Sequence, residues 1–300
     1  MAKRKELDVA ADMPRRKTKQ ADEGDSSNEV VKLCAYNQDM DMVNVDFEWF
    51  DPQEQDFEGV KMLLRQLLDS DAELFGLSQL ADLILAQPLL GSTVKVGGNE
   101  EDPLAFLTVL NLKTHADKPA IEAMTKYLVE KSASSSPLAG LASLLSPSSN
   151  AEVGLILTER VMNLPAEIVP PMYRMLLEEI IWAVEDKEPY TFTHILVLSK
   201  TYTEVESKVD QEDNRPQKKK RKDKTDAIFY YHPEDEVLHQ HAIGHCNFEY
   251  SKQSDEGASD SKRTFHDEGV KPQGHLILIE AEKFKSAVDA VSEYLNPQAL

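Results

Sequence analysis

The sequence predicts an α/β (α+β) fold, a single domain in which a mixed central sheet is flanked by helices. Strand-like and helix-like segments alternate along most of the 300 residues. Residues 193–202 are almost continuously apolar, as expected for a strand whose two faces are both buried. The longest helical segment, residues 168–184, is apolar on more than one side, which is typical of a core helix.

The first predicted elements are a strand and two helices. Apolar and polar residues alternate over residues 43–50, which predicts a strand, and Asp51-Pro52 ends it. The apolar positions within residues 56–68 fall on one face of an amphipathic helix. A second helix is predicted over residues 78–86.

A β-hairpin is predicted next, because strand-like residues 92–96 and 105–112 flank two consecutive glycines. Gly97 and Gly98 can take the backbone angles of a tight turn without steric cost. The sequence after this hairpin predicts a helix over residues 120–130.

The second half of the chain contributes most of the predicted sheet. Its four predicted strands are residues 153–159, 193–202, 226–231 and 275–280. Pro170 and Pro171 fit the first turn of the long helix, where a missing N–H costs little. A last helix is predicted over residues 282–295.

Polar segments divide the chain into a tail and one domain. Residues 1–42 mix basic and acidic residues and contain few large apolar ones, which predicts a disordered tail. The domain then spans residues 43–300. Within it, polar stretches at about residues 204–225 and 251–272 are expected to be long disordered loops, because strand signals lie on both sides of each.

The net charge of the chain limits the classes of partner that it can bind. With 33 basic and 53 acidic residues the net charge is -20, which repels nucleic-acid phosphates and attracts basic proteins. Direct binding to nucleic acid is therefore not expected. The two cysteines, Cys34 and Cys246, form no disulfide framework and fit a reducing compartment. The sequence contains neither a secretory signal nor an apolar run of about 20 residues, so no membrane association is expected.

Five consecutive basic residues form the sharpest short motif. A nuclear import receptor binds such a run as an extended peptide whose long cations enter acidic and aromatic pockets. The alternative is a solvated charge run that balances nearby acids. Basic clusters at residues 3–5 and 15–17 form a second, bipartite-like signal. The predicted import signal is Lys218, Lys219, Lys220, Arg221 and Lys222.

An acidic stretch surrounds the first predicted strand. No Lys or Arg occurs from residue 33 to residue 60. One interpretation is a cradle for a cationic client, and the alternative is ordinary solubility charge. The predicted client-binding residues are Asp46, Glu48, Asp51, Glu54, Asp56 and Glu58.

A group of histidines offers possible metal ligands. The group consists of His232, His239, His241 and His245, with Cys246 beside them, and zinc uses ligands of this kind. However, no CxxC pair or second compact ligand pair accompanies them. The sequence therefore favours polar histidines at the edge of a strand over a zinc site.

Catalytic motifs are absent from the sequence. It contains no GxSxG, no GxxxxGK[ST], no HExxH and no GxGxxG that follows a strand. We therefore predict no catalytic residues, no bound cofactor and no enzymatic activity.

Long blocks of the sequence resemble the BCCIP/Bcp family. The resemblance extends from about residue 43 to residue 295, and the blocks occur in the family's order. They are VNVDFEWFDP (residues 43–52), DFEGVKMLLRQLL (56–68), GLILTERVMNLPAEIVPPMY (154–173), THILVLSKTY (193–202) and YYHPEDEVLHQHA (230–242).

The resemblance implies a fold like that of the GNAT acetyltransferases, without their activity. The [QR]xxGx[GA] loop that cradles the coenzyme pyrophosphate in those enzymes is absent. The nearest segment, residues 137–142, has Pro where Gln or Arg is required. A divergent acyltransferase is therefore kept only as a second alternative.

The resemblance also implies a nuclear interaction protein. The fungal branch of the family is linked to large-subunit ribosome biogenesis, as chaperone of a ribosomal protein, and to nuclear export of a lipid kinase. The animal branch is linked to a cell-cycle kinase inhibitor and to recombination repair. The short tail and the basic run resemble the fungal branch more closely.

The combined expectation is a nuclear protein that shuttles to the cytoplasm as a non-enzymatic chaperone and transport adaptor. Its expected partners are a basic ribosomal protein of the large subunit, import and export receptors, and a lipid kinase as a further candidate. The first alternative is an interaction hub that binds a lipid kinase or a cell-cycle or repair protein through an apolar groove.

Overall fold

The structure is a computed structural model. It describes residues 45–87, 90–204, 227–251 and 270–295. The predicted tail, the predicted import signal at Lys218 to Lys222 and most of both predicted loops lie outside these residues.

The described residues form a sheet with helices on both faces. The eight strands, named β1 to β8 in chain order, are Glu48–Phe50, Ser92–Lys95, Ala105–Asn111, Val153–Arg160, His194–Glu204, Ile228–Tyr230, Ala242–Phe248 and Val270–Glu280. The seven α-helices of the same residues, named α1 to α7, are Phe57–Leu68, Leu77–Leu85, Pro119–Ser132, Leu141–Leu144, Val169–Glu185, Glu234–His239 and Ala281–Leu295.

The sheet is mixed, as predicted, and its strand order differs from chain order. The order is β1-β2-β3-β4-β5-β8-β7, and β6 also pairs with β5. The β4–β5 pair is parallel, whereas every other pair within the described residues is antiparallel. Strand β8 pairs with β5 along its whole length, from the His194–Glu280 pair to the Glu204–Val270 pair.

The strands are buried on both faces because successive side chains point to opposite sides of the sheet. On β5, Leu196 packs into the core beneath α1 to α4, and the next residue, Val197, packs into the core beneath α5 to α7. Leu155 and Ile156 divide in the same way on β4. This two-sided burial confirms the prediction made from the continuous apolar character of the strands.

Helix α5 confirms the long predicted helix, with a proline in its first turn. Its first half is buried against the sheet through residues such as Met172 and Leu176. Its last turns leave the sheet and expose Ile181, Trp182 and Val184 by 56%, 44% and 40%. The helix is therefore a core element at its start and an exposed apolar surface at its end.

Three parts of the fold differ from the prediction. Of the predicted strand positions that the structure describes, 45–50, only Glu48–Phe50 form strand β1. Strand β7 and helix α6 were not predicted. Strand β8 begins at Val270, inside the predicted loop at residues 251–272, because its polar first half is held by backbone pairing with β5. The likeness to acetyltransferases stays a prediction.

Across the ranges given above, no helix combines the length and the apolar character needed to cross a membrane.

Candidate functional site

Strands β4 and β5 diverge at their carboxyl ends. Their parallel pairing runs from Val153 and His194 to Leu157 and Leu198. Beyond that point β6 pairs with β5, while β8 occupies the other edge of β5. A crevice at the carboxyl ends of neighbouring strands is the usual ligand site of open α/β sheets.

Charged side chains of the protein itself occupy this part of the sheet. Arg160, at the end of β4, donates two hydrogen bonds to Glu234, with Nη1–Oε1 and Nη2–Oε2 distances of 2.5 and 3.1 Å. The imidazole of His232 lies beside this pair, with its Nδ1 atom 3.1 Å from Arg160 Nη1. On its other side, His232 Nε2 lies 3.3 Å from Glu159 Oε1.

Strand β5 completes the arrangement. Lys200 Nζ lies 2.5 Å from Glu159 Oε2. Its neighbour Ser199 donates a hydrogen bond to Asp235. All of these side chains are buried. We call the following six residues the buried ionic cluster: Glu159, Arg160, Lys200, His232, Glu234 and Asp235.

The pKa of each titratable group in the cluster reflects its neighbours. Burial alone would lower the pKa of His232, but hydrogen bonds to Glu159 and Glu234 outweigh it and raise the pKa to about 9. Burial would raise the pKa values of both glutamates. Hydrogen bonds from His232, together with its charge and those of Lys200 or Arg160, instead lower each to about 2. Asp235 is different, because burial raises its pKa to about 7.

The cluster behaves as a set of mutually compensated charges. Three cations face three carboxyl groups, so the charges inside the fold nearly balance. Its ion pairs and hydrogen bonds connect the ends of β4 and β5 to α6. Removal of one partner would leave the charge of another buried without compensation. The sequence does contain a signal for this cluster, because the otherwise apolar strands β4 and β5 end in charged residues, in the segments TER and SKTY. No site was predicted from this signal.

The predicted acidic residues are mostly exposed, as expected. Asp46, Glu48, Glu54 and Glu58 are all exposed, and Asp51 is half-buried. Asp46 lies just before the edge strand β1 and Glu48 lies on it, Asp51 and Glu54 lie between β1 and α1, and Glu58 lies in the first turn of α1. An edge strand also needs charge to prevent pairing with another chain, so this position fits both interpretations of the acidic stretch.

Asp56 is a correction to the predicted client-binding surface. Its side chain is 1% exposed and forms an ion pair with Lys95, whose Nζ atom lies 2.5 Å from Asp56 Oδ1. Lys95 is 0% exposed and also donates to the Asn99 carbonyl oxygen at 2.6 Å. Asp56 therefore anchors the start of α1 to the β2–β3 hairpin and cannot contact a client.

The β2–β3 hairpin turn adds acidic residues that the sequence did not connect with the first strand. Gln55 Nε2 donates to the Asn99 carbonyl oxygen at 2.5 Å, and Asn99 Nδ2 donates to Gln53 Oε1 at 3.1 Å. These bonds hold the turn beside the segment before α1. The turn carries three exposed acids of its own. We call the combined surface the acidic patch: Asp46, Glu48, Asp51, Glu54, Glu58, Glu100, Glu101 and Asp102.

The net charge is concentrated in the residues that the structure describes. The described residues contain 33 acidic and 14 basic residues, a difference of -19. The remaining residues contain 20 acidic and 19 basic residues, a difference of -1. The described residues therefore hold almost the whole negative charge of the protein.

The structure separates the histidines that are close in sequence. His232 belongs to the buried ionic cluster, and His241 lies against Ser286, 3.4 Å from its hydroxyl. Cys246 packs into the core on the face of the sheet beneath α1 to α4. His239 and His245 remain together, and His275 from β8 joins them. The four histidines that are close in sequence thus do not form one group, and His245 is an exposed strand-edge histidine.

Comparisons with known proteins agree on one family and one fold. The family model described as BCCIP matches residues 42–238. The chain is 57% identical over 299 residues to Protein bcp1 of Aspergillus fumigatus, with 99% of each chain covered. It is 49% identical over 260 residues to Protein bcp1 of Schizosaccharomyces pombe, covering 85% of this chain and 91% of that protein. Its fold is similar to the crystal structure of BCP1 from Saccharomyces cerevisiae, with a TM-score of 0.59 and 24% identity, covering 85% and 92% of the two chains.

Proposed function

The chain belongs to the BCCIP family, and we propose that it is a non-enzymatic nuclear chaperone and transport adaptor. In this proposal it shields a basic ribosomal protein of the large subunit and supports nuclear export of a client protein. The observation that carries the proposal is the charge of -19 on the described residues. Such a charge attracts cationic proteins and repels nucleic acid.

The acidic patch is the proposed contact surface for the basic client. Most of its carboxylates are exposed on one edge of the sheet, and Lys61, the nearest base in sequence to its first part, lies 3.6 Å from Glu58. A free ribosomal protein carries a dense positive charge that binds RNA indiscriminately. The patch would neutralise part of that charge until the phosphates of ribosomal RNA compete for the client.

The buried ionic cluster supports a function without catalysis. Open α/β sheets usually bind a ligand at the carboxyl ends of neighbouring parallel strands, and in this sheet the buried side chains of Arg160, His232 and Glu234 lie at that position. A divergent acyltransferase would need that space for its coenzyme. A thermal-shift measurement with acetyl-coenzyme A should therefore show no stabilisation, whereas a clear rise in Tm would favour the acyltransferase alternative.

One observation favours the hub alternative. The last turns of α5 expose Ile181, Trp182 and Val184, and a contiguous apolar patch on a surface marks an interaction site. A partner bound there would be held by apolar burial, so its affinity would change little with salt. A chaperone of a basic client, in contrast, should lose affinity steeply as salt rises.

The nuclear part of the proposal depends on the predicted import signal, Lys218 to Lys222. This basic run lies outside the described residues, so its support comes from the sequence alone. Replacing these five residues and the basic residues of the second predicted signal, at 3–5 and 15–17, by Ser in a fluorescent fusion should shift the protein to the cytoplasm.

The experiment that tests the proposal is native purification of the tagged protein in low salt, with mass spectrometry of stoichiometric partners. One dominant basic ribosomal protein that is released by moderate salt would support the chaperone function. Neutral or acidic partners that persist in high salt would overturn it and favour the hub.

A further inference from the structure

Three histidines from three different elements meet on the face of the sheet that α6 covers. His239 is the last residue of α6, His245 lies on the edge strand β7, and His275 lies on β8. One ring nitrogen from each lies within 4.8 Å of the other two. The Nε2 atoms of His239 and His275 are 2.7 Å apart.

Hydrogen bonds fix the tautomer of the innermost ring. His275 Nδ1 contacts the side-chain oxygen of Asn247, its cross-strand partner on β7. Because an amide oxygen only accepts, His275 carries its proton on Nδ1 and presents a lone pair at Nε2. A second imidazole nitrogen, on His239, is directed at that lone pair. The contact with Asn247 therefore orients the ring of His275 in the way that a hydrogen-bonded neighbour orients a metal-binding histidine.

The environment keeps these imidazoles neutral. Burial, with a smaller contribution from the neighbouring histidines, lowers the pKa of His275 to about 3 and that of His239 to about 4. A neutral imidazole is the form that binds a metal ion. The ring of Tyr230 packs edge-on against His239 and His275, with centroid distances of 5.3 and 6.0 Å, which holds both rings in place.

We propose that His239, His245 and His275 form a binding site for a divalent transition-metal ion, with Zn²⁺ as the expected ion. Three imidazole nitrogens and one position open to solvent match the ligand number that zinc accepts. Hard cations such as Mg²⁺ and Ca²⁺ prefer oxygen ligands and are not expected here. The proposal is independent of the chaperone function.

Binding requires a small rearrangement of the exposed ligand. The rings of His239 and His245 are stacked, 3.8 Å apart with an interplanar angle of 5°. Two parallel rings cannot both direct an in-plane lone pair at one ion, so the ring of His245 must rotate. His245 is exposed on an edge strand, which leaves it room to do so. The metal then replaces the proton between the two Nε2 atoms, and His239 carries that proton on Nδ1 instead.

The three histidines lie outside the segment that the family model matches. The BCCIP family model ends at residue 238, immediately before His239. All three proposed ligands therefore lie beyond the matched segment.

The test is titration of the full-length, untagged protein with Zn²⁺ by calorimetry, and with Co²⁺ by visible absorption. We expect one ion per chain and the absorption bands of nitrogen-coordinated Co²⁺. His245→Ala and His239→Ala should each weaken binding about tenfold or more. His241→Ala is the matched control, because His241 lies near both in sequence but contacts Ser286, and it should bind as the wild type does.

Circular dichroism of each variant checks that it is folded, and His245→Ala is the safest variant because its side chain is exposed. Absence of stoichiometric binding by the wild-type protein would overturn the proposal. Equal binding by wild type and His245→Ala would also overturn it, because the ion would then be bound elsewhere in the chain.

Discussion

Arg160 and Glu234 are joined by two hydrogen bonds that connect the last residue of β4 to the first residue of α6. The pair lies where β4 separates from β5, so it closes a gap that hydrogen bonds between the strands no longer span. Because both side chains are buried, neither charge can be compensated by water if its partner is removed. This position makes the pair a sensitive probe of the whole buried ionic cluster.

The Arg160→Met substitution should strongly destabilise the protein. It removes the bidentate partner of Glu234, and breaking a buried pair in this way costs about 3–5 kcal/mol. The double variant Arg160→Met/Glu234→Gln should recover part of that loss, because no unpaired carboxylate remains. Urea denaturation followed by tryptophan fluorescence measures both. The exposed pair Lys285–Asp289 is the control, and Lys285→Met should cost less than about 1 kcal/mol. If Arg160→Met and Lys285→Met lowered the free energy of unfolding equally, the role of burial would be contradicted.

Stability should fall between pH 6.5 and about 9 because of His232. Its pKa is raised from 6.5 to about 9 in the folded protein, so its stabilising proton is fully bound below pH 6.5 and lost as the pH rises through about 9. The expected decrease in the free energy of unfolding is on the order of 3 kcal/mol. Denaturation midpoints measured across this window test it. In His232→Gln the slope should flatten, and a slope equal to that of the wild type would contradict the role of His232.

Two glycines with almost the same backbone angle should respond differently to alanine. Gly91 and Gly98 have φ values of 113° and 111°, which L-residues rarely adopt, so each substitution carries a strain of about 1–3 kcal/mol. At Gly91 the added Cβ would also lie 2.7 Å from the Leu107 carbonyl oxygen, whereas at Gly98 nothing lies within 4 Å. Gly91→Ala should therefore cost about 1–3 kcal/mol more than Gly98→Ala. Equal unfolding free energies for the two variants would show that the crowding at Gly91 is relieved.

Client binding should depend on the acidic patch rather than on negative charge in general. The triple variant Glu48→Gln/Glu54→Gln/Glu58→Gln should bind the basic client about tenfold more weakly in low salt, and the difference should shrink as salt rises. A matched triple variant on α7, Glu282→Gln/Asp289→Asn/Glu293→Gln, removes the same charge from a helix on the opposite face and should bind nearly as the wild type does. Similar losses in both would mean that net charge, not the patch, attracts the client.

The end of α5 separates the proposed function from the hub alternative. Ile181→Ser replaces a side chain that is 56% exposed, so it should change the unfolding free energy by less than about 1 kcal/mol. Under the chaperone proposal it should also leave the affinity for the basic client unchanged. Calorimetry with the purified client measures this, and a large loss of affinity would favour an apolar docking surface.

The sequence predicted those elements in which the pattern of residue types reflects burial or backbone conformation directly. Strands β4 and β5 are almost continuously apolar because both faces are covered, and the two glycines of the β2–β3 turn have positive φ values as expected. Strand β7 escaped prediction because the bulge between Ala242 and Gly244 interrupts its alternation. Helix α6 has only six residues, too few for a helical period to be recognised.

The candidate sites were less predictable, since they depend on residues that are distant in sequence. Asp56 resembles its acidic neighbours, and only the pairing of β2 brings Lys95 to it. His275 lies 30 residues after His245, and the two become neighbours only because β8 inserts beside β7. Spacing along the chain therefore grouped the wrong histidines.

The position of β8 has a consequence for how the protein is made. This strand is inserted between β5 and β7, yet it follows both in the chain. During synthesis, the ribosome must release residues 270–280 before β5 can acquire its partner on that edge. Until then, the nascent chain presents an unpaired strand that contains the apolar residues Ile195 to Leu198, a surface prone to aggregation. The sheet is therefore completed late in translation, and a chain truncated before Val270 should fail to fold and should be degraded.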